Sequence, residues 1–300
     1  KGKKNNGNLF VKEAFDKGAC LAVTSEGKKS KKIMIVKDAL NILTKASSIL
    51  RENLSGKIIA ITGSCGKTSL KELIGGSLSK ISQTTYSRKS FNNKFGVPLS
   101  LFNLKKNDDF GVFEVGMDKK SEIDNLSKII KPDVGVITNI SYAHIKNFKN
   151  INQIASAKGE IIQNIKRDGY LVLNKDDNFF NFHKNMGSKR NLKILSFSLK
   201  NKKASISLIS ITKIQSRYKI CVNVYKIKKN YYINSIFEND LKNLLAAISV
   251  ISIFIDIEKL DQNIFYNHQK ITGRGDIIKI KLFKKSFNLV DESYNSNPLS

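Results

Sequence analysis

The sequence predicts an α/β protein: a mostly parallel sheet flanked by helices, with an antiparallel edge hairpin region, preceded by a partial small α/β domain. Three observations carry this. From Lys57 onward, apolar strand-like runs alternate with segments of helical period, the pattern of βαβ units. Over residues 204–236 the pattern becomes apolar–polar alternation rich in β-branched residues, as in antiparallel strands. Before Lys57 stands a shorter group of elements, closed off by Asn53-Leu54-Ser55-Gly56.

Taken in order, residues 10–18 read as a short amphipathic helix ended by glycine, and 19–24 and 32–36 as two short strands. Residues 38–52 have helical period, with Ala39, Leu40, Ile42, Leu43, Ala46, Ile49 and Leu50 on one side. The boundary at 53–56 therefore predicts a small incomplete domain at 1–55 and a larger one at 56–300. In the larger one, strand 58–62 precedes helix 68–81, strand 111–115 precedes helix 121–130, and strand 134–140 precedes helix 151–165. Residues 170–173 and 193–197 add strands, helical period returns at 241–255 and 264–269, and 287–290 reads as a last strand.

Composition bounds the function. Of 300 residues, 41% are hydrophobic and 26% charged, and no apolar run approaches the roughly 18 residues of a membrane-spanning helix. The chain is expected to be soluble, without membrane insertion. Lys1-Gly2-Lys3-Lys4 has neither an initiator Met nor a following apolar stretch, so it is no signal peptide and reads as the start of a piece of a longer chain. A net charge of +27 would suit a polyanion partner. The lysines, however, are scattered among abundant Asn and Ile, the bias that AT-rich coding imposes, and the aromatics do not interleave with them as base-stacking platforms would. No nucleic-acid partner is expected. Three cysteines, Cys20, Cys65 and Cys221, without a CxxC pair, point to a reducing cytoplasm.

The strongest chemical signal is the apolar run Ile59-Ala60-Ile61 entering Thr62-Gly63-Ser64-Cys65-Gly66-Lys67-Thr68-Ser69 and then a helix. Glycines let backbone N–H groups approach phosphate oxygens, and a helix N-terminus adds a favourable dipole. Lys67 would reach the β/γ-phosphates and the Thr68 hydroxyl would ligate Mg²⁺, making the predicted sheet a P-loop sheet. The glycine spacing is shorter than the general GxxxxGK[ST], which would put the first glycine at Ile61. Glu114 closes a predicted strand, where open α/β sheets bind ligands, and its carboxylate suits Mg²⁺. Thr138 and Asn139 close another such strand, with His144 just beyond. Arg274, between Gly273 and Gly275, is either a phosphate fork or a solvated arginine on a tight turn. Residues 291–298 read either as a site loop or as an interdomain turn. Position alone gives Lys158 no distinction from a solvated helix lysine.

Together these residues resemble the Mur ligase family over nearly the whole chain. Thr62 to Thr68 resembles its TGxNGKT loop, with Cys65 in place of the usual Asn, and Phe113-Glu114-Val115-Gly116-Met117 its E(M)GM strand end. Lys131-Pro132-Asp133-Val134 through Ala143-His144 is similar to KPDVxVITNIxxAH, and Ala157-Lys158-Gly159-Glu160-Ile161 to AKGEI. Ser90-Phe91-Asn92-Asn93 through Gly96-Val97-Pro98-Leu99 and the stretch 291–298 resemble the NFNNxxGVPL and DDSYNANP motifs of the D-alanyl-D-alanine-adding members. The resemblance implies an ATP-dependent ligase that joins UDP-N-acetylmuramoyl-tripeptide to D-alanyl-D-alanine through an acyl phosphate, acting as a cytoplasmic monomer. It gives Gly63, Ser64, Cys65, Gly66, Lys67, Thr68 and Ser69 the ATP phosphates, Asn243 the adenine side and Arg274 a nucleotide phosphate. Glu292 stands where the family has Asp for the ribose, so that role falls to Asp291 or Glu292. Thr68 would hold one Mg²⁺. Glu114, His144 and a carbamylated Lys158 would serve a second, Lys67, Lys158 and His144 being the catalytic set. Asn92, Asn93, Thr138 and Asn139 would face the nucleotide-sugar peptide. It also implies that residues 1–55 are the last part of a UDP-substrate-binding domain and that a C-terminal ligase domain is absent. Another Mur enzyme or a folylpolyglutamate synthase is the nearest alternative, and a basic nucleic-acid-binding P-loop protein the alternative from another class.

Overall fold

A computed structural model describes residues 6–142, 147–266, 273, 276–283, 285–291 and 293. The chain opens with helix α1 (Val11–Asp16), two parallel strands β1 (Ala22–Thr24) and β2 (Ile33–Ile35), and helix α2 (Ala39–Glu52). Asp38 starts α2 by accepting the Asn41 N–H at 3.1 Å, a side-chain cap. Buried Arg51 in the last turn ties α2 to the rest of the molecule: Nε donates to the Ile130 carbonyl at 2.8 Å, Nη1 to Leu54 at 3.0 Å and Nη2 to Lys131 at 3.2 Å.

The larger unit has the predicted rhythm: β3 (Lys57–Thr62), α3 (Lys67–Leu78), β4 (Thr84–Tyr86), α4 (Gly96–Leu101), β5 (Phe110–Glu114), α5 (Glu122–Ile130), β6 (Val134–Ile137) and α6 (Ile151–Gly159). It continues with β7 (Tyr170–Asn174), α7 (Phe180–Ser188), β8 (Lys193–Ser198), β9 (Ile206–Ile214), β10 (Arg217–Val224), β11 (Ile227–Ile233) and α8 (Glu238–Ile251). Among the described residues these strands form one nine-stranded sheet in the order β11-β10-β9-β8-β7-β6-β3-β5-β4. Neighbours from β4 to β9 run parallel, and β9, β10 and β11 are antiparallel, the edge hairpins that alternation predicted.

Central strand β3 is buried on both faces, which is why its sequence is a continuous apolar run. Ile59 and Ile61 join the layer that contains α3 and α8, while Ile58 and Ala60 join the layer under α4, α5 and α6. No helix among the described residues is long and apolar enough to cross a membrane.

Several elements differ from expectation. The helix predicted at 151–165 is α-helical to Gly159 and tightens to a 3-10 turn over Glu160–Asn164. Residues 264–266 lie in a turn, started by Asp261 accepting the Asn263 N–H, and 267–269 lie outside the described residues. The strand expected at 287–290 is β13 (Lys285–Asp291), and it pairs antiparallel with an unanticipated β12 (Asp276–Leu282).

Candidate active site

The site begins with strand register. Ile61 of β3 lies beside Glu114 of β5, and Thr62 beside Ile137 of β6, so three carboxyl ends finish level. The chain passes from one side of β3 to the other between β5 and β6. Such a switch point opens a crevice at the strand tips.

The turn after β3 needs its glycines. Gly63 has φ +147°, and a Cβ there would lie 1.9 Å from Thr138 Oγ1. Gly66, at φ +81°, precedes the first residue of α3, and its Cβ would lie 2.8 Å from Asn243 Oδ1. The turn is pinned by the β6 tip. The Ser64 N–H donates to the Asn139 carbonyl and the Cys65 N–H to Asn139 Oδ1, both at 2.9 Å. Thr138 Oγ1 donates to the Cys65 carbonyl at 2.6 Å, and Ser64 Oγ accepts the Ser141 N–H at 2.8 Å. Thr138 and Asn139, expected on the substrate side, have these side chains on the turn. Cys65 meets these partners through its backbone, so its side chain can replace Asn without changing them. Lys67, Thr68 and Ser69 form the first turn of α3, whose positive dipole end faces the loop.

Two lysines converge on one carbonyl. Lys67 Nζ donates to Gly63 O at 2.9 Å and to Ser64 O at 3.4 Å. Lys158, reaching from α6 and only 1% exposed, donates to the same Gly63 O at 2.9 Å. Burial first, and the charge of Lys67 second, hold the Lys158 amine well below the ordinary lysine range, against weaker opposing pulls from Cys65 and Glu114.

Glu114 is also 1% exposed. Its Oε1 accepts from Asn92 Nδ2 at 2.6 Å, and its Oε2 is buried without a hydrogen-bond partner among the described residues. An orphaned buried acceptor costs about 1–3 kcal/mol, more when charged. The segment from Ser87 to Asn92 that follows β4, a strap between that strand and α4, also carries Ser90, whose Oγ lies 3.3 Å from Thr68 Oγ1. Asn93 turns the other way and caps α4, its Oδ1 accepting the N–H groups of Phe95 at 3.1 Å and Gly96 at 3.0 Å. Asn243, buried on α8, lays its amide against Gly66.

The structure thus brings together Gly63, Ser64, Cys65, Gly66, Lys67, Thr68, Ser69, Asn92, Glu114, Thr138, Asn139, Lys158 and Asn243. His144, Arg274 and Glu292 lie outside the described residues. Among the described residues, no group of three or more His, Cys, Asp or Glu stands ready for a metal. Sequence reasoning missed Ser90, Ser141 and Lys71. Lys71 alone left a trace, as a lysine four residues beyond Lys67 and flanked by Leu70, Leu73 and Ile74.

The Mur ligase middle domain family matches residues 61–251. A UDP-N-acetylmuramoyl-tripeptide–D-alanyl-D-alanine ligase of Buchnera aphidicola (subsp. Baizongia pistaciae) is 30% identical over 304 residues, covering 100% of this chain and 64% of that protein. A ligase of the same name from Rickettsia prowazekii is 31% identical over 310 residues, covering 98% and 66%. A crystal structure of MurF from Acinetobacter baumannii superposes with a TM-score of 0.86 at 26% identity, covering 100% of this chain and 64% of that one. The fold is shared with MurF ligase from Thermotoga maritima in complex with ADP, TM-score 0.84 at 24% identity, covering 100% and 68%. The chain spans about two thirds of the length of such relatives, 64% in the Buchnera case.

Proposed function

This chain belongs to the Mur ligase family, and from that premise we propose that it carries the ATP-binding part of a ligase joining D-alanyl-D-alanine to UDP-N-acetylmuramoyl-tripeptide in the cytoplasm. The names of the relatives aligned along its whole length support that substrate pair over a folylpolyglutamate or another Mur substrate. The observation that carries the chemistry is the meeting, at three adjacent strand tips, of a glycine turn, the lysine beside it and an acid with a bare oxygen.

The residues fit their ligands. Gly63 and Gly66 leave backbone room for phosphate oxygens, and Lys67 lies where it can turn from the loop's carbonyls to the β/γ-phosphates of ATP. Asn243 borders the turn on the adenine side, Arg274 is assigned to a phosphate, and Asp291 or Glu292 to the ribose. For Mg²⁺ the donor set is hard oxygen: the Thr68 hydroxyl for one ion and the partnerless Glu114 Oε2, with His144 and Lys158, for a second. When bound, such ions supply positive charge against the transferring phosphoryl group. Lys158 would serve as a carbamate: its neutral amine bonds to the carbon of CO₂ and loses a proton, leaving an anionic carboxylate. Its deep burial and lowered proton affinity favour the neutral amine that this addition needs.

Lys67 and Arg274 neutralise the γ-phosphoryl group as the tripeptide carboxylate attacks phosphorus and ADP departs. The D-alanyl-D-alanine amine then attacks the acyl carbon, phosphate leaves, and the amide remains. The test is the complete protein with ATP and both substrates. Amide product and phosphate are expected from the wild type, and none from Lys67→Ala; undiminished phosphate release by Lys67→Ala would overturn the assignment. A substrate panel including diaminopimelate and folate acceptors decides against the alternative ligases.

A further inference from the structure

A buried lysine that this scheme leaves idle lies one helical turn beyond Lys67. Lys71 on α3 has 0% of its surface exposed. Its ammonium donates to the Ser87 carbonyl at 2.5 Å, the Lys89 carbonyl at 2.7 Å and Glu72 Oε1 at 2.6 Å. Three acceptors match the three donors of an ammonium, the compensation a buried charge requires. Two of them belong to the strap that leaves β4 and crosses the sheet tips. Lys89 sits there at φ +47°, a left-handed conformation that non-glycine residues hold only where their surroundings impose it.

The far end of the strap gives Lys71 its meaning. Ser87 Oγ accepts the Glu114 N–H at 3.5 Å, and the Asn92 carbonyl accepts the Gly116 N–H at 2.8 Å. Asn92 Nδ2 fixes Glu114 Oε1, and Ser90 meets Thr68. These three contacts to Thr68 and Glu114, from Ser87, Ser90 and Asn92, lie within three residues of a carbonyl held by Lys71.

We propose that Lys71 is a positioning residue: it ties the helix that begins at the phosphate turn to residues 87–92, so that Asn92 occupies one oxygen of Glu114 and leaves the other aimed at a divalent cation. Removing the ammonium strips the donor from two carbonyls, lets the strap move, and frees the Glu114 carboxylate to turn. The inference rests on the ligase reading for its assay, yet concerns a contact that reading does not use.

In the complete protein, K71M should lower kcat and weaken the Mg²⁺ dependence by roughly 10–100-fold, the range lost when a metal ligand loses its outer partner. ADP binding measured without Mg²⁺ should stay near wild type. N92A should show the same loss, and K71M/N92A should lose little more than N92A alone, because both changes act through Glu114. A folded K71M with wild-type kcat and Mg²⁺ dependence overturns the proposal, and so do losses that multiply in the double variant. Should K71M not fold, the same cycle is run with K71Q, which keeps an amide donor; if neither folds, Lys71 is a stability residue and the proposal fails. A wild type that forms no amide defeats the ligase reading instead, and the Mg²⁺ dependence of ADP binding in wild type and K71M then decides for Lys71.

Discussion

Gly63→Ala puts the geometry of the phosphate turn under direct strain. At φ +147° an L side chain is disfavoured by about 1–3 kcal/mol. The new Cβ would lie 1.9 Å from Thr138 Oγ1 and 3.1 Å from both Thr138 Cβ and Thr138 N. Rotating the hydroxyl away relieves the first contact but breaks its bond to the Cys65 carbonyl, costing about 0.5–1.5 kcal/mol. No rotamer relieves the other two, because the Thr138 N–H is already held by the Thr62 carbonyl at 3.0 Å. The expected cost is therefore about 2–4 kcal/mol. If the folded state bears the strain, urea unfolding registers it; if the turn shifts to escape, ADP affinity registers it, as roughly 30- to 700-fold in Kd. Both are measured, by urea titration and by calorimetry with ADP, and the two losses together should account for the cost. T138A supplies the control, since G63A/T138A no longer has the hydroxyl contact and should cost less than the two single changes combined. Wild-type unfolding together with wild-type ADP binding in G63A refutes the reasoning, as does strict additivity with T138A.

Two further outcomes concern buried titratable groups. Burial holds the His183 imidazole below its ordinary 6.5, against weaker upward pulls from the Ala155 carbonyl, 2.9 Å from Nε2, and from Asp177. A proton avoided by the folded state is taken up by the unfolded one, so the contribution of His183 is complete above pH 6.5 and lost as pH falls toward the lowered folded value. Urea unfolding should lose up to about 1.4 kcal/mol per pH unit more in wild type than in H183Q across that window; equal slopes would remove His183 as the cause. For Lys158, depleting CO₂ from the buffer should lower amide formation and added bicarbonate should restore it, whereas K158A should stay inactive with or without bicarbonate. Wild-type activity indifferent to CO₂ would dismiss the carbamate.

The parts of the fold that could be read from the residues were those with local signatures. Strand β3 announced itself because burial on both faces demands an unbroken apolar run, and β10 because one-sided burial demands alternation. Three-residue β4 is too short to display any period, and α4 begins at Gly96 with Pro98 in its first turn, residues that usually mark a break. The glycine turn was legible for the same reason as β3, since strand, glycines, lysine and helix are contiguous. Lys158 was not, because its partner lies 95 residues away and a helical lysine otherwise reads as solvated; only the resemblance singled it out. Lys71 had no motif at all, although a lysine on the core face of an amphipathic helix is a conflict that calls for buried acceptors.

The shared carbonyl of Gly63 sets two lysines of different burial on one oxygen. A carbonyl oxygen has two lone pairs and can accept from both, but two ammonium charges meeting on one dry oxygen repel each other. The repulsion weighs most on the more buried side: Lys158 at 1% exposure has its proton affinity lowered well below that of an ordinary lysine, while half-buried Lys67 lies where water or an anion can compensate its charge. The pair therefore differs in how readily each gives up its proton, the difference that the proposed phosphate role of Lys67 and carbamate role of Lys158 require. Arginine at 158 could take neither the neutral form nor the carbamate, so the retained charge that makes Lys→Arg look mild would remove the property the proposed carbamate depends on.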